Sequence, residues 1–193
     1  LRTWVKEVRS AMSDLDIDPA FAARCLQAAE RAWAAARRNP EVWAIADFTG
    51  SGGYGDSDFG DEFYWAAAEL FATSGGSEYA AALRGSRHFR VAAVTTPGWN
   101  SVATLGTVTL ATVRTPLTKA ETAALRASIR SAADAFLAET GRVGYALPYA
   151  PEGGWPWGST SSILNRAMLL AIAHDLTGKR RYRDGVVDSM DFI

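Results

Sequence analysis

Two short segments constrain the architecture more than anything else in the chain. A helical pattern stops at Ser74-Gly75 and a new one opens beside Tyr79; further on, another stops at Thr177-Gly178 and a new one opens beside Tyr182. A glycine just past the last periodic residue is the usual left-handed end of a helix, and an aromatic one turn later anchors the next. Helix, tight glycine turn, aromatic anchor, helix is the signature of a repeated αα-hairpin. Asp18-Pro19 leading to Phe21 is a degenerate relative of the same signal.

Helical patterns fill most of the remaining chain. Pro19 to Arg38 is alanine-rich, with Asp18 as N-cap and Pro19 at the first helical position. Phe21, Cys25, Leu26, Ala29 and Trp33 recur there at helical spacing, so Cys25 reads as buried filler, and Asn39-Pro40 ends the helix. Residues 61 to 73 leave little polar face, which places that helix in an interior. Residues 78 to 89 form the next helix. The stretch "NSVATLGTVTLATVR" is rich in β-branched residues, yet its length favours a helix. Thr118 and Glu121 spell a capping box ahead of a long amphipathic helix, and residues 159–177 and 179–192 close the chain. Apolar helices alternating with amphipathic ones, with no sustained heptad, predict an all-α toroid with inner and outer layers rather than a coiled coil.

Composition narrows the function classes. A net charge of −1 with no basic stripe argues against a nucleic-acid partner. No apolar run approaches the roughly 20 residues of a membrane-spanning helix, so no membrane partner is expected. The single cysteine can form no intrachain disulfide and says little about compartment. Seven Trp and six Tyr are many for 193 residues and suit either core packing or sugar stacking. His88 and His174 lack ligand-like spacing, and Lys179-Arg180-Arg181 reads as a solvated turn.

Two loops rich in glycine and aromatics, 49–57 and 145–159, are where a helical scaffold would carry function. Asp58, Asp61 and Glu62 follow the first. As a helix cap they would face the positive end of the helix dipole. As a metal site, a glycine-rich turn would free the carbonyls of Ser57 and Asp58, with Asp61 and Glu62 adding charge for a Ca²⁺ that takes six to eight oxygens. These two readings are compatible. A catalytic reading is the weakest, because carboxylates that flank a glycosidic bond in an inverting enzyme stand roughly 6.5–9.5 Å apart, and adjacent helical residues diverge. Asp58-Phe59-Gly60 also spells a kinase motif, but no phosphate-binding loop accompanies it.

Three blocks carry a family resemblance. "YGDSDFGDEFYWAAAELFATSG", "WPWGSTSSILNRAMLLAIAHDLTGKRRYRDGVVDSMDFI" and the preceding "DPAFAARCLQAAERAWAAARRNP" are similar, in order, to segments of glycoside hydrolase family 9, the cellulase family. The resemblance implies residues 1–193 as the central part of an (α/α)6-barrel catalytic domain, truncated at both ends, from a secreted enzyme that cleaves β-1,4-glucan with inversion. The family's catalytic base lies in an upstream Asp-Ala-Gly-Asp motif, which Asp58-Phe-Gly-Asp61 mimics only in spelling. Its proton donor lies downstream. Neither catalytic carboxylate is therefore expected here, the isolated chain should be inactive, and its principal partner should be the remainder of its own domain.

The same resemblance implies a structural Ca²⁺ held by backbone oxygens of Ser57 and Asp58 and the carboxylates of Asp61 and Glu62. Asn100 stands where the family has an aspartate, offering a neutral oxygen. Tyr54, Tyr149 and Trp155 are candidates to pack on glucose rings of a β-glucan, whereas Trp157 reads as loop packing beside a helix start. Another (α/α)-barrel carbohydrate-active enzyme, or a glycan-binding relative without catalysis, are the alternatives.

Overall fold

The structure is a computed structural model that describes residues 19–42, 58–89, 95–98 and 100–193. The chain divides into two units, Leu1–Ala44 and Ile45–Ile193. The described part of the first unit is one helix, α1 (Pro19–Arg38), with Arg37 and Arg38 facing the negative end of its dipole. Asn39 closes α1 through its side-chain amide, which donates to the Ala35 carbonyl at 3.1 Å. Asp18, the expected N-cap, lies outside the described residues. The expected packing stripe is realised only in part: Trp33 is buried and Leu26 half-buried, but Phe21 is 52% exposed and Cys25 and Ala29 are exposed. Helical spacing identifies a face; it does not supply the surface that covers it, so Cys25 is not the buried filler its neighbours suggested.

In the second unit every described regular element is helical: α2 (Gly60–Ser74), α3 (Ser77–Gly85), α4 (Ala103–Thr112), α5 (Lys119–Ala138), a 3-10 turn (Gly144–Ala146), α6 (Ser159–Thr177) and α7 (Arg180–Phe192). The packing partners are α2 with α3, α4 with α5 and α6 with α7, three αα-hairpins in a row. The hairpins join through α2 against α4 and through α5 against α6. The two glycine turns adopt one conformation. Gly75 (φ 69) and Gly178 (φ 70) are left-handed, and their amides donate to Phe71 and His174 carbonyls at 2.9 and 2.7 Å. Tyr79 and Tyr182 are both buried behind those turns.

The ambiguous β-branched stretch is helical, as α4, because its small residues permit close approach. A Cβ on Gly106 would lie 3.1 Å from the Trp65 Cα, so the two backbones meet there. Beside that contact the Tyr64 and Thr107 hydroxyls share a 3.1 Å hydrogen bond, and burial pushes the Tyr64 pKa up to about 12. The capping box of α5 forms as its sequence spells it. By contrast α3 ends at Gly85, short of the expected Phe89. The Ser86 hydroxyl accepts from the His88 amide at 3.2 Å and offers the backbone a turn instead of another helical bond. Leu83, Leu110, Leu125, Ile129, Leu169 and Leu170 are fully buried between the helices, each worth about 2 kcal/mol of apolar burial.

Candidate functional site

Asp58 precedes the first turn of α2. Its Oδ1 accepts the Gly60 amide at 3.0 Å, and its carboxylate pairs with Arg87 from the turn after α3. Phe59 occupies the N-cap position and makes no side-chain cap bond, so the cluster's contribution is Asp58 satisfying the first helical amide from one residue further out, with Arg87 as counter-charge. Asp61, in the first turn of the helix, is buried. Its Oδ2 accepts the Val102 amide at 2.6 Å, which docks the segment before α4 onto the start of α2. Among the described residues no donor reaches the buried Asp61 Oδ1. Burial works against a charged Asp61, but hydrogen bonding with the Glu62 carboxyl and with the amides of Val102, Asp61 and Glu62 outweighs it and holds the pKa below its ordinary value.

The proposed ligands are only partly brought together. Ser57 and the sugar candidate Tyr54 lie outside the described residues. Asn100 is exposed on a small turn closed by the Gly98 and Ser101 backbones at 3.0 and 3.2 Å, two residues from Val102. No group of three or more His, Cys, Asp or Glu side chains converges on one point among the described residues. Asp61 and Glu62 thus fit a cation only if carbonyls, an amide oxygen or water complete the shell, which is the donor mixture Ca²⁺ accepts. His88 is half-buried against the Tyr64 ring, centroids 5.9 Å apart. Burial and Arg87 lower its pKa, opposed by Asp61.

The second region is the loop ahead of α6. The 3-10 turn holds Tyr145 (φ 65) and Ala146 (φ 52) in left-handed backbone that non-glycine residues seldom adopt. Leu147 and Tyr149 then turn inward and pack with Ile163 of α6. Tyr149 is only 7% exposed, so its ring is largely committed to the interior. Trp155, 48% exposed, meets Tyr149 edge-on at 5.6 Å and stacks on Phe192 at 6.0 Å. Trp157 is 93% exposed rather than packed against the helix start. Gly158 (φ 74) opens α6 in left-handed backbone, and the tryptophan before it remains in solvent.

Both regions touch α6. Asn165 Nδ2 donates to the Pro97 carbonyl at 2.8 Å, and the neighbouring Arg166 reaches both Thr96 and Pro148. The sequence carried no signal for Arg166, since its partners are distant in the chain. No helix among the described residues is long and apolar enough to cross a membrane.

The chain is 39% identical over 204 residues to a cellulose 1,4-beta-cellobiosidase of Acetivibrio thermocellus, covering 92% of this chain and 23% of that protein. It is 39% identical over 181 residues to endoglucanase C of Cellulomonas fimi, covering 91% of this chain and 16% of that protein. The chain therefore spans less than a quarter of either relative. Among solved structures, the glycoside hydrolase family 9 endoglucanase J30 superposes with a TM-score of 0.81 at 26% identity, over 90% of this chain and 32% of that one. A metagenome-derived endoglucanase of the same family gives 0.76 at 31% identity, over 91% and 32%. The all-helical fold is that of (α/α)6 barrels of this kind. The profile of glycosyl hydrolase family 9 matches residues 9–193, and the chain belongs to that family.

Proposed function

We propose that this chain is part of a secreted, inverting β-1,4-glucanase acting on cellulose or a related β-glucan. Family membership, together with relatives named as a cellobiosidase and an endoglucanase, supports the substrate class. The observation that carries the reading within this chain is the loop before α6. It presents Trp155 and Trp157 to solvent on a strained, glycine-rich backbone, and such aromatic faces cover the apolar faces of β-linked glucose. Tyr149 supports Trp155 from beneath, and Tyr54 would add a contact from the other loop. Hydrolysis would use a carboxylate-activated water and a carboxylic acid on opposite sides of the bond, both contributed by the rest of the domain.

A Ca²⁺ at the start of α2 would bind Asp61 and Glu62 and draw on the backbone of Ser57 and Asp58 and the Asn100 oxygen. Its role would be structural charge compensation. The residues themselves anchor the loops: Asp58 accepts the first amide of α2, and Asp61 holds the segment before α4.

Affinity electrophoresis in gels containing soluble cellulose tests the sugar reading. This chain is expected to be retarded, Trp157→Ala to run freely, and neither to release reducing ends. Unretarded migration of the wild-type chain would count against glucan binding, and reducing-end release would refute the assignment of both catalytic carboxylates elsewhere. For the cation, added Ca²⁺ should raise the melting temperature of the wild type and not that of Asp61→Asn. Equal shifts would remove Asp61 as a ligand.

A further inference from the structure

We propose that Arg166 is a positioning residue that joins the segment docked on Asp61 to the aromatic loop, so that the two regions move as one. The inference rests on the reading that the aromatic loop faces glucan. Arg166 lies in α6 with its side chain only 14% exposed. Its Nε donates to Thr96 Oγ1 at 2.9 Å. Its Nη1 donates to Glu139 Oε2 at 2.8 Å and to the Pro148 carbonyl at 2.9 Å. The guanidinium carbon sits 4.4 Å from the Phe136 ring centroid and 4.7 Å from that of Tyr149.

Each contact has a distinct consequence. Thr96 belongs to the segment that runs through Asn100 to Val102, whose amide is fixed on Asp61. Pro148 and Tyr149 begin the loop that carries Trp155 and Trp157. Glu139 Oε2 also accepts the Ala150 amide at 2.8 Å, so the same carboxylate pins the loop a second time. Glu139 stands at the C-terminal end of α5, where a negative charge is unfavourable, and the guanidinium offsets it there. The neighbouring Asn165 adds its bond to Pro97. A planar fork with several donors can hold three segments at fixed angles, which the single ammonium of lysine cannot.

The bonds are separable by substitution. Thr96→Val removes one acceptor and touches no residue of the aromatic loop. Arg166→Lys keeps the charge, and Arg166→Met removes the joint. Amide hydrogen exchange of the whole chain reads the coupling without any ligand. Thr96→Val is expected to speed exchange in residues 147–150 about tenfold, with exchange within α5 unchanged, and to have no added effect in an Arg166→Met background. Arg166→Lys should reproduce the faster exchange at an unaltered circular dichroism spectrum. Titration with cellohexaose, followed by tryptophan fluorescence, should then show about tenfold weaker binding by Thr96→Val.

The proposal is overturned if the effect of Thr96→Val stays within residues 95–102, or if it is the same with and without Arg166. Should wild-type chain fail to bind cellohexaose while the exchange coupling persists, the joint stands and the glucan reading fails.

Discussion

Beyond its main packing against α4 and α6, α5 meets α3 and α7 at two smaller seams, and these are held by different means. Between α3 and α5, Arg84 donates to Glu121 at 2.8 and 3.3 Å, and Glu121 is buried. Glu121 also closes the capping box, accepting the Thr118 amide at 2.9 Å. Between α5 and α7, Asp134 accepts from Arg181 at 2.5 Å and from the Tyr182 hydroxyl at 2.7 Å, but the Asp134 and Arg181 side chains are about half exposed. What brings these helices together is Gly185, where an added Cβ would stand 2.7 Å from Leu137 and 3.2 Å from Leu170. One seam is organised by a buried carboxylate, the other by the absence of a side chain. A half-exposed surface ion pair is thus a poor guide to what holds two helices together.

The comparison can be broken most forcefully at Gly185. Gly185→Val should cost about 3 kcal/mol in denaturant unfolding, because the new methyl groups must displace leucines on two helices. A mild effect would mean that the second seam does not depend on close approach. Next comes Glu121→Gln, with an expected loss of about 2 kcal/mol from the weakened cap and charge-assisted bonds.

Acid sharpens the same point. The Arg84 side chain, then the Thr118 amide, outweigh desolvation and hold the Glu121 pKa at about 2 instead of 4.5. A depressed carboxylate contributes stability that is full above about 4.5 and is lost as pH falls towards 2. The gap between wild type and Glu121→Gln should close across that window; a pH-independent gap would assign the effect to packing. Gly178→Ala, at a left-handed turn with open space around it, should cost about 1 kcal/mol from backbone strain alone. Smallest of all, Asp134→Asn should shift the unfolding midpoint by little more than the error of the measurement.

What the sequence disclosed was local. The capping box at Thr118 and Glu121 and the two glycine turns are decided by residues within four positions of one another, and all formed as read. α3 is shorter than its sequence pattern implies because Ser86 competes for its own backbone. Cys25 and Trp157 are exposed against expectation for a common reason: burial depends on which surface arrives opposite, and spacing along one helix or loop does not encode that. Asp58 and Asp61 were identifiable as important, yet their partners Arg87 and Val102 come from other turns. Arg166 was invisible, since the groups it joins stand 18 to 70 positions away.

Nearly every helix of the second unit leans on the one or two that immediately precede or follow it. Such an arrangement keeps loop-closure entropy low at each step, so assembly can advance from one end as a zipper does, without waiting for distant segments to meet. A lesion at one turn then halts progress locally and leaves a partly stacked array whose unfinished edge is a bare helix face, the form in which chains of this design are most exposed to aggregation.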